Sequence, residues 1–358
     1  MRDHILVIGG YGRVGRTICS ELAPLYPGKV VAAGRNLERA ERFGRETEGR
    51  VRPLRIDMEQ ELDPEALAGV KLAIVCMDQR HPSFVQACLR QGVHYLDISA
   101  DYRFLSQVES LHDLAASCGA TAVLSVGLAP GLTNLLASQA KRMLDVTDAI
   151  HISVMLGLGD SHGRAAIEWT VEHLRSGFIV QEGGKQIQIA GFRDGRRTDF
   201  GGRLGKRTAY RFNFADQHSL PRTLQVPVVA TRLCFDSSAV TGALAAAMRM
   251  GAHRLLNAGR IRDAVIDGFS SVRIGEPRFA LKVDAIGTVR NKDALAECFL
   301  HGTHEADVTA KVAAAAADML YGSDLPRGVF HIDQLYAYED FDRALNGLAV
   351  MSKRCSVG

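Results

Sequence analysis

The sequence predicts an α/β protein: a doubly wound parallel sheet in the first part of the chain, followed by a second, α+β domain. Three observations predict it. Short apolar runs alternate with amphipathic stretches from residue 4 to 126, the pattern of a mostly parallel sheet covered on both faces. A glycine cluster separates the first apolar run from the first amphipathic stretch. After VGLAPGLTN (126–134) the alternation gives way to grouped β-like runs and longer helical patterns.

The elements follow in order. HILVIG (4–9) is a short buried strand. Arg13 to Leu25 is a helix, because Val14, Ile18, Leu22 and Leu25 share one face, and Pro27 with Gly28 ends it. KVVAAG (29–34) is a second strand and residues 37–48 form a charged helix. VRPLRI (51–56) is a weaker third strand, ending at Asp57, and KLAIVCM (71–77) is a fourth. Pro82 to Gln91 is a helix, VHYLDI (93–98) a fifth strand, Leu105 to Cys118 one helix, and TAVLSV (121–126) a sixth strand. GLAPG (127–131) is a loop, followed by a helix from Leu132 to about Met143, a strand over Ala149–Met155 and a helix over 164–175. KQIQIAGF, TAYRFNF and TLQVPVV supply short β-like runs between 178 and 234. Helices are expected at 239–250 and 261–268, a strand at 278–289, and an alanine-rich helix at 303–322. The expected domains are 1–126 for nucleotide binding, 127–300 for substrate or dimerisation, and 301–358 as helices returning to the first domain. An extended sheet in the second domain offers a surface for homodimer pairing.

Composition narrows the function classes. The 43 basic and 40 acidic side chains leave a formal charge of only +3, which argues against a nucleic-acid partner. No apolar run approaches the ~20 residues that span a bilayer, and MRDHILVIGG lacks a signal-peptide layout, so no membrane partner is expected. The seven cysteines form no CxxC pair, and an odd count in a long chain points to a reducing, cytoplasmic compartment. Cys76, Cys88 and Cys118 sit in apolar patterns and read as buried small hydrophobes.

The glycine cluster carries the first chemistry. Gly10, Gly12 and Gly15 spell GxGxxG between a strand and a helix. Gly10 is expected to allow the tight turn, Gly12 to clear space for a pyrophosphate, and Gly15 to let helix and strand pack closely. Backbone N–H groups at the helix start then face an anion. Gly10, Tyr11, Gly12, Arg13, Val14 and Gly15 are therefore the expected cofactor loop of a Rossmann domain. An NAD site usually has an acid at the end of strand two; here the place holds Gly34, Arg35 and Asn36. Arg35 can pair with a 2′-phosphate, with Arg13 adding charge, so NADP is favoured and NAD stays open. The missing acid also disfavours a flavin dinucleotide. Asp57, after strand three, either lies near the adenine or caps its turn. Met77, after strand four, falls where such a sheet places a loop beside the cofactor.

The catalytic candidates are Asp101, Tyr102, His162 and Arg164. Asp101 and Tyr102, in LDISADYRF, follow strand five at the edge where ligands gather. Asp101 can orient substrate or move a proton, and Tyr102 can donate one; the alternative is a loop cap and a packed aromatic. His162 and Arg164 lie in a Gly-rich loop before a helix, placed to contact an anionic substrate, although Asp160 or Ser161 can simply cap that helix. Basic residues crowd Arg193 to Arg211, either as a charged loop or as an arginine cluster for a carboxylate-bearing substrate. HGTH (301–304) indicates no third ligand, so no metal is expected. There is no YxxxK pair, and GLAPG lacks the serine of a hydrolase elbow.

Taken together, the chain resembles the saccharopine dehydrogenase-like family of NAD(P)-binding oxidoreductases. The matching pieces are IGGYGRVG (8–15), AGRN (33–36), ACLRQGVHYLDIS (87–99), VGLAPGLTN (126–134) and VTAKVAAAAADML with a later GVF (308–330). The resemblance implies a Rossmann domain, then an α+β domain, with the final helices folding back on the first. It implies reduction of an imine formed from an amine and a keto acid, or the reverse oxidation of a secondary amine. It matches Gly10, Gly12 and Gly15 to the cofactor loop and Arg35 to the phosphate-selecting position; Asp97 and Ser99 match a family stretch without a transferred role. Two other functions stay open: a carbonyl or alcohol oxidoreductase on the same fold, and a non-catalytic NADP-sensing protein.

Overall fold

A computed structural model of the chain describes residues 2–60, 64–160, 163–271 and 275–358. The strands are β1 (His4–Ile8), β2 (Val30–Gly34), β3 (Arg52–Arg55), β4 (Val70–Val75), β5 (His94–Asp97), β6 (Thr121–Leu124), β7 (Val146–Leu156), β8 (Phe178–Glu182), β9 (Lys185–Ile189), β10 (Arg196–Asp199), β11 (Lys206–Arg211), β12 (Val228–Phe235), β13 (Arg278–Val289), β14 (Lys292–Thr303), β15 (Gly328–His331) and β16 (Ala349–Val357). The α-helices are α1 (Arg13–Leu25), α2 (Leu37–Glu46), α3 (Ser83–Arg90), α4 (Tyr102–Glu109), α5 (His112–Ser117), α6 (Thr133–Lys141), α7 (Arg164–Arg175), α8 (Asp216–Thr223), α9 (Ser238–Arg249), α10 (Gly259–Ser271), α11 (Glu305–Gly322), α12 (Ile332–Leu335) and α13 (Asp342–Leu345).

The chain divides into two compact units, one of residues 1–131 and 306–336, the other of 132–305 and 337–358. In the first, seven strands lie in the order β15-β6-β5-β4-β1-β2-β3, with every neighbouring pair parallel. That is the doubly wound order, with β15 as an added strand. Its central strands read as continuous apolar runs because both faces are covered: Ile5, Leu6, Val7 and Ile8 are fully buried, as are Leu72 to Val75. The order reverses between β1 and β4, so loops after these two strands flank the switch point where ligands bind.

In the second unit the order is β10-β11-β12-β7-β13-β14-β16, antiparallel throughout except for the β12–β7 pair. The hairpin β8–β9 stands apart from this sheet. Three expectations change. The helix expected over Leu105–Cys118 is two, α4 and α5, broken at Ser110 and Leu111. Thr223, expected to start a β run, ends α8, whose polar sequence is held by buried Asp216 and Gln217. The terminal segment expected as returning helices divides: residues 306–336 lie in the first unit, whereas 337–358 lie in the second, where β16 pairs along the edge of β14. No helix among the described residues is long and apolar enough to cross a membrane.

Candidate functional site

β1 ends at Ile8 and the backbone turns at once. The left-handed residue of the turn is Gly9, with φ 75°, not Gly10 as expected. Gly10 serves a close approach instead: a Cβ there would lie 2.7 Å from the Val7 carbonyl oxygen and 2.8 Å from Ala32 Cα on β2. Gly15 is buried, and a Cβ there would fall 2.7 Å from Gly10 Cα, so it lets α1 seat on the loop. Gly12 differs. It is the N-cap of α1, and an added Cβ would meet only the Gly9 carbonyl oxygen, 3.0 Å away. The helix has no side-chain cap and no acid in its first turn. Its leading N–H groups and positive end therefore favour an anion. Arg13 and Val14 open the helix, with Arg13 exposed.

Tyr11 links this loop to the end of β2. Its hydroxyl accepts from the Asn36 N–H at 3.0 Å, and a Cβ at Gly34 would run into its ring. The Asn36 side chain caps α2, accepting from the Arg39 N–H at 2.9 Å. Arg39 also stacks over Tyr11, 5.1 Å from the ring centroid. Sequence reasoning missed Arg39; its place four residues after Arg35, on an exposed helix, was the available signal. Arg13, Arg35 and Arg39 are all exposed, and none has a carboxylate partner among the described residues. This is a cradle that fits a pyrophosphate at α1 and a further phosphate at the arginines.

The remaining candidates in this unit lie after β3, β4 and β5. Asp57 accepts from the Glu59 N–H at 3.1 Å and so caps its own turn. Met77 is 38% exposed just beyond β4. Asp101 is the N-cap of α4, accepting from the Arg103 N–H at 2.9 Å and pairing with the Arg103 guanidinium at 2.8 Å. Tyr102 is the first residue of that helix.

Two polar groupings at this sheet edge were not assigned a role from sequence. Asp97, fully buried at the end of β5, accepts from the Tyr95 hydroxyl, from the Ser99 N–H and from Gln79 Nε2 at 3.0 Å. It therefore braces the loop after β4 against β5. Burial pushes its carboxyl up to about 7, against the pull of the Tyr95, Ser99 and Gln79 hydrogen bonds. The signal was a carboxylate closing an apolar strand. The second grouping joins Ser125, with φ 58°, to His331 Nδ1 at 2.8 Å, and His331 Nε2 to Glu109 at 2.9 Å. It ties β6, β15 and α4 together. No local pattern reveals it, since Ser125 and His331 lie 206 residues apart. Burial pushes the Cys76 and Cys88 thiols far up, which keeps them out of nucleophilic chemistry. Cys76 and Cys118, both expected to be buried, are partly exposed, whereas Cys88 is buried.

In the second unit Arg164 is the first residue of α7 and is exposed, bonded to Glu168 at 2.8 Å and Asp267 at 2.9 Å. His162 lies outside the described residues. Among the described residues no group of three His, Cys, Asp or Glu side chains is placed to hold a metal ion.

Residues 5–123 match the model of the saccharopine dehydrogenase NADP binding domain. Among solved structures, the chain is similar to apo saccharopine dehydrogenase (L-Glu forming) from Saccharomyces cerevisiae, at 13% identity and a TM-score of 0.66, covering 99% of this chain and 100% of that one. It is also similar to the C. glutamicum DAP dehydrogenase in complex with DAP, at 13% identity and a TM-score of 0.46, covering 94% of this chain and 95% of that one. No curated protein matches by sequence. Residues 5–123 therefore form a saccharopine dehydrogenase-type NADP binding domain, and the chain has the fold of saccharopine dehydrogenase over its length.

Proposed function

We propose that this chain reduces an imine formed from an amine and a keto acid, using NADPH, or oxidises the corresponding secondary amine with NADP. The observation that carries the cofactor half is the uncapped start of α1 beside Arg13, Arg35 and Arg39, with no acid at the end of β2. The C–N half is supported by the match of residues 5–123 to the saccharopine dehydrogenase NADP binding domain and by the similar fold of the yeast protein, itself a saccharopine dehydrogenase.

When bound, NADPH supplies the hydride. The chain's own residues must bind it, hold the substrate's carboxylate and move one proton to or from nitrogen. The α1 N–H groups and Arg13 take the pyrophosphate, and Arg35 and Arg39 the 2′-phosphate. Asn36 and Tyr11 hold the loop to the end of β2. Asp57 and Met77 are assigned to the cofactor's edge. We assign proton handling to Asp101, Tyr102 and His162, and the substrate carboxylate to Arg164. Asp101 pairs with Arg103 and Arg164 with Asp267 in this structure, and on this reading substrate displaces those partners. Replacing any one of these four should lower turnover without abolishing NADPH binding, and unchanged steady-state rates remove that residue from the set.

The test is a parallel titration of the purified protein with NADPH, NADH and FAD, followed by turnover on amine and keto-acid pairs and on simple alcohols. Preference for NADPH with turnover of the amine pairs supports the reading. Turnover of alcohols alone points to a carbonyl or alcohol oxidoreductase. Tight NADPH binding with no turnover across the panel points to an NADP-sensing protein, and no nucleotide binding overturns the enzyme reading.

A further inference from the structure

In the second unit, β16 and the segment before it form the walls of a cleft. A 3-10 turn (Tyr338–Phe341) runs on into α13, so Tyr338, Asp342 and Leu345 stand at i, i+4 and i+7 on one face. Strand alternation supplies the opposite wall. Met351 and Lys353 lie opposite Leu300 and Cys298 on β14, both buried, whereas Arg354 points to the other side with Glu297. With Glu339, Asn346 and Ala349, these two walls line a cleft of about 360 Å³, a size found in small-molecule sites.

The cleft carries both signs of charge, held apart. Gln139 on α6 is buried and stands between them. With its amide turned to suit its neighbours, it donates to Glu339 at 3.3 Å and accepts from the Lys353 ammonium. Glu339 and Lys353 therefore share one amide without forming an ion pair, and Asp342 has no ion pair or hydrogen bond among the described residues. Tyr338 is only 6% exposed, and its hydroxyl has no hydrogen-bond partner among the described residues. That hydroxyl is not sealed into the core, since Tyr338 lines the cleft beside both acids. Burial, and then the charges of Asp342 and Glu339, push the phenol up to about 12, so it stays a hydroxyl at neutral pH. Leu345, Ala349 and Met351 leave the rest of the wall apolar.

We propose that this cleft binds a free α-amino acid with an apolar side chain. An α-ammonium has three N–H donors, and the cleft offers three acceptors: the Glu339 and Asp342 carboxylates and the Tyr338 hydroxyl oxygen. Lys353 and the Asn346 amide take the ligand's carboxylate, and Leu345 and Met351 cover its side chain. Two acids alone suit a simple amine. A lysine on the same cleft, kept from Glu339 by a buried amide, suits a ligand that carries both charges. The site lies within the second unit and does not depend on the reaction proposed above.

The experiment is isothermal titration of the full chain, without nucleotide or keto acid, with three probes of one shape at matched ionic strength. They are L-leucine, isoamylamine, which lacks the carboxylate, and isocaproate, which lacks the amine. Leucine is expected to bind saturably and more tightly than either fragment. E339Q should weaken leucine and isoamylamine, and K353Q leucine alone, each at least about tenfold, the loss expected for one charged hydrogen bond. Both side chains are exposed; should either variant fail to fold, Y338F decides, since it keeps the buried ring, removes only the hydroxyl and should also weaken leucine. Absence of saturable leucine binding overturns the site. Isoamylamine or isocaproate binding as tightly as leucine overturns the amino-acid assignment. Leucine binding undiminished in the variants places it elsewhere on the chain and overturns the cleft. Turnover decides the reaction and these titrations decide the cleft, so either reading can fail alone.

Discussion

Arg35 stands exposed at the end of β2 without a carboxylate beside it, and Arg39 leans over Tyr11 one helical turn away. A 2′-phosphate is the one part of NADPH that NADH lacks, so these two side chains should act on that difference alone. The double substitution R35A/R39A is expected to weaken NADPH binding at least about tenfold and leave NADH binding unchanged, by nucleotide fluorescence titration. Equal loss for both nucleotides would mean that the arginines act elsewhere. Asp97 makes a different prediction. Its folded carboxyl titrates near 7 against an ordinary 3.8, so the folded protein holds this proton more tightly than the unfolded chain. The stability from that proton is fully present below about pH 4 and is lost as pH rises through 7. Asp216, buried and pushed up to about 6, adds a slope of the same sign. Urea midpoints should therefore fall from pH 5 to pH 8 in the wild type and fall less in D97N; equal slopes would show that Asp97 ionises as an ordinary carboxylate.

At the scale of elements, the glycine loop separates stability from binding. Gly10 faces backbone on two sides, and overpacking of this kind costs about 1–3 kcal/mol. G10A should lower the urea midpoint. G12A should lower the midpoint less than G10A yet abolish NADPH binding, because its methyl group meets only the Gly9 carbonyl oxygen, 3.0 Å away, and stands before the start of α1. If G12A binds NADPH normally, the start of α1 is not the phosphate site. The same loop shows how far sequence reading reaches. The fingerprint located the loop, but assigned the turn to Gly10 where the left-handed residue is Gly9, since spacing alone does not report φ. Elements with strong periodicity were read to the residue: α1, α7 and β13 have the expected bounds. α8 and β16 were missed because neighbours form them. α8 has Pro221 inside it and stands on the bonds of Asp216 and Gln217, and β16 is almost wholly exposed and rests on its ladder to β14. Arg35 and Asn36 were legible as a missing acid, whereas Asp97, Ser125 and His331 depend on strand register.

Across the whole molecule a formal charge of +3 conceals strong local pairing. The densest case is Lys282, 5% exposed, whose ammonium lies 2.7 Å from Glu297 and 3.1 Å from Asp284 and sits over the Phe299 ring. Two acids flank one buried cation, and the help available to them is wetter: Arg354 on Glu297 is 66% exposed and Arg196 on Asp284 is 33% exposed. Burial pushes Glu297 up, but the bonds from Arg354 and Lys282 outweigh it and hold the carboxyl low. Removing one partner of a buried ion pair leaves the other charge uncompensated, at a cost of about 3–5 kcal/mol. K282M keeps the apolar stem and removes only the charge, so its effect should be of that order. The triple substitution K282M/D284N/E297Q should recover much of the loss, because the charges then left without these acids, Arg196 and Arg354, are the more exposed ones. Urea unfolding of the two variants decides the point. A small loss in K282M would mean that Arg196 and Arg354 neutralise the acids unaided. A triple variant no more stable than K282M would mean that the network matters for its hydrogen bonds and not for its charge balance.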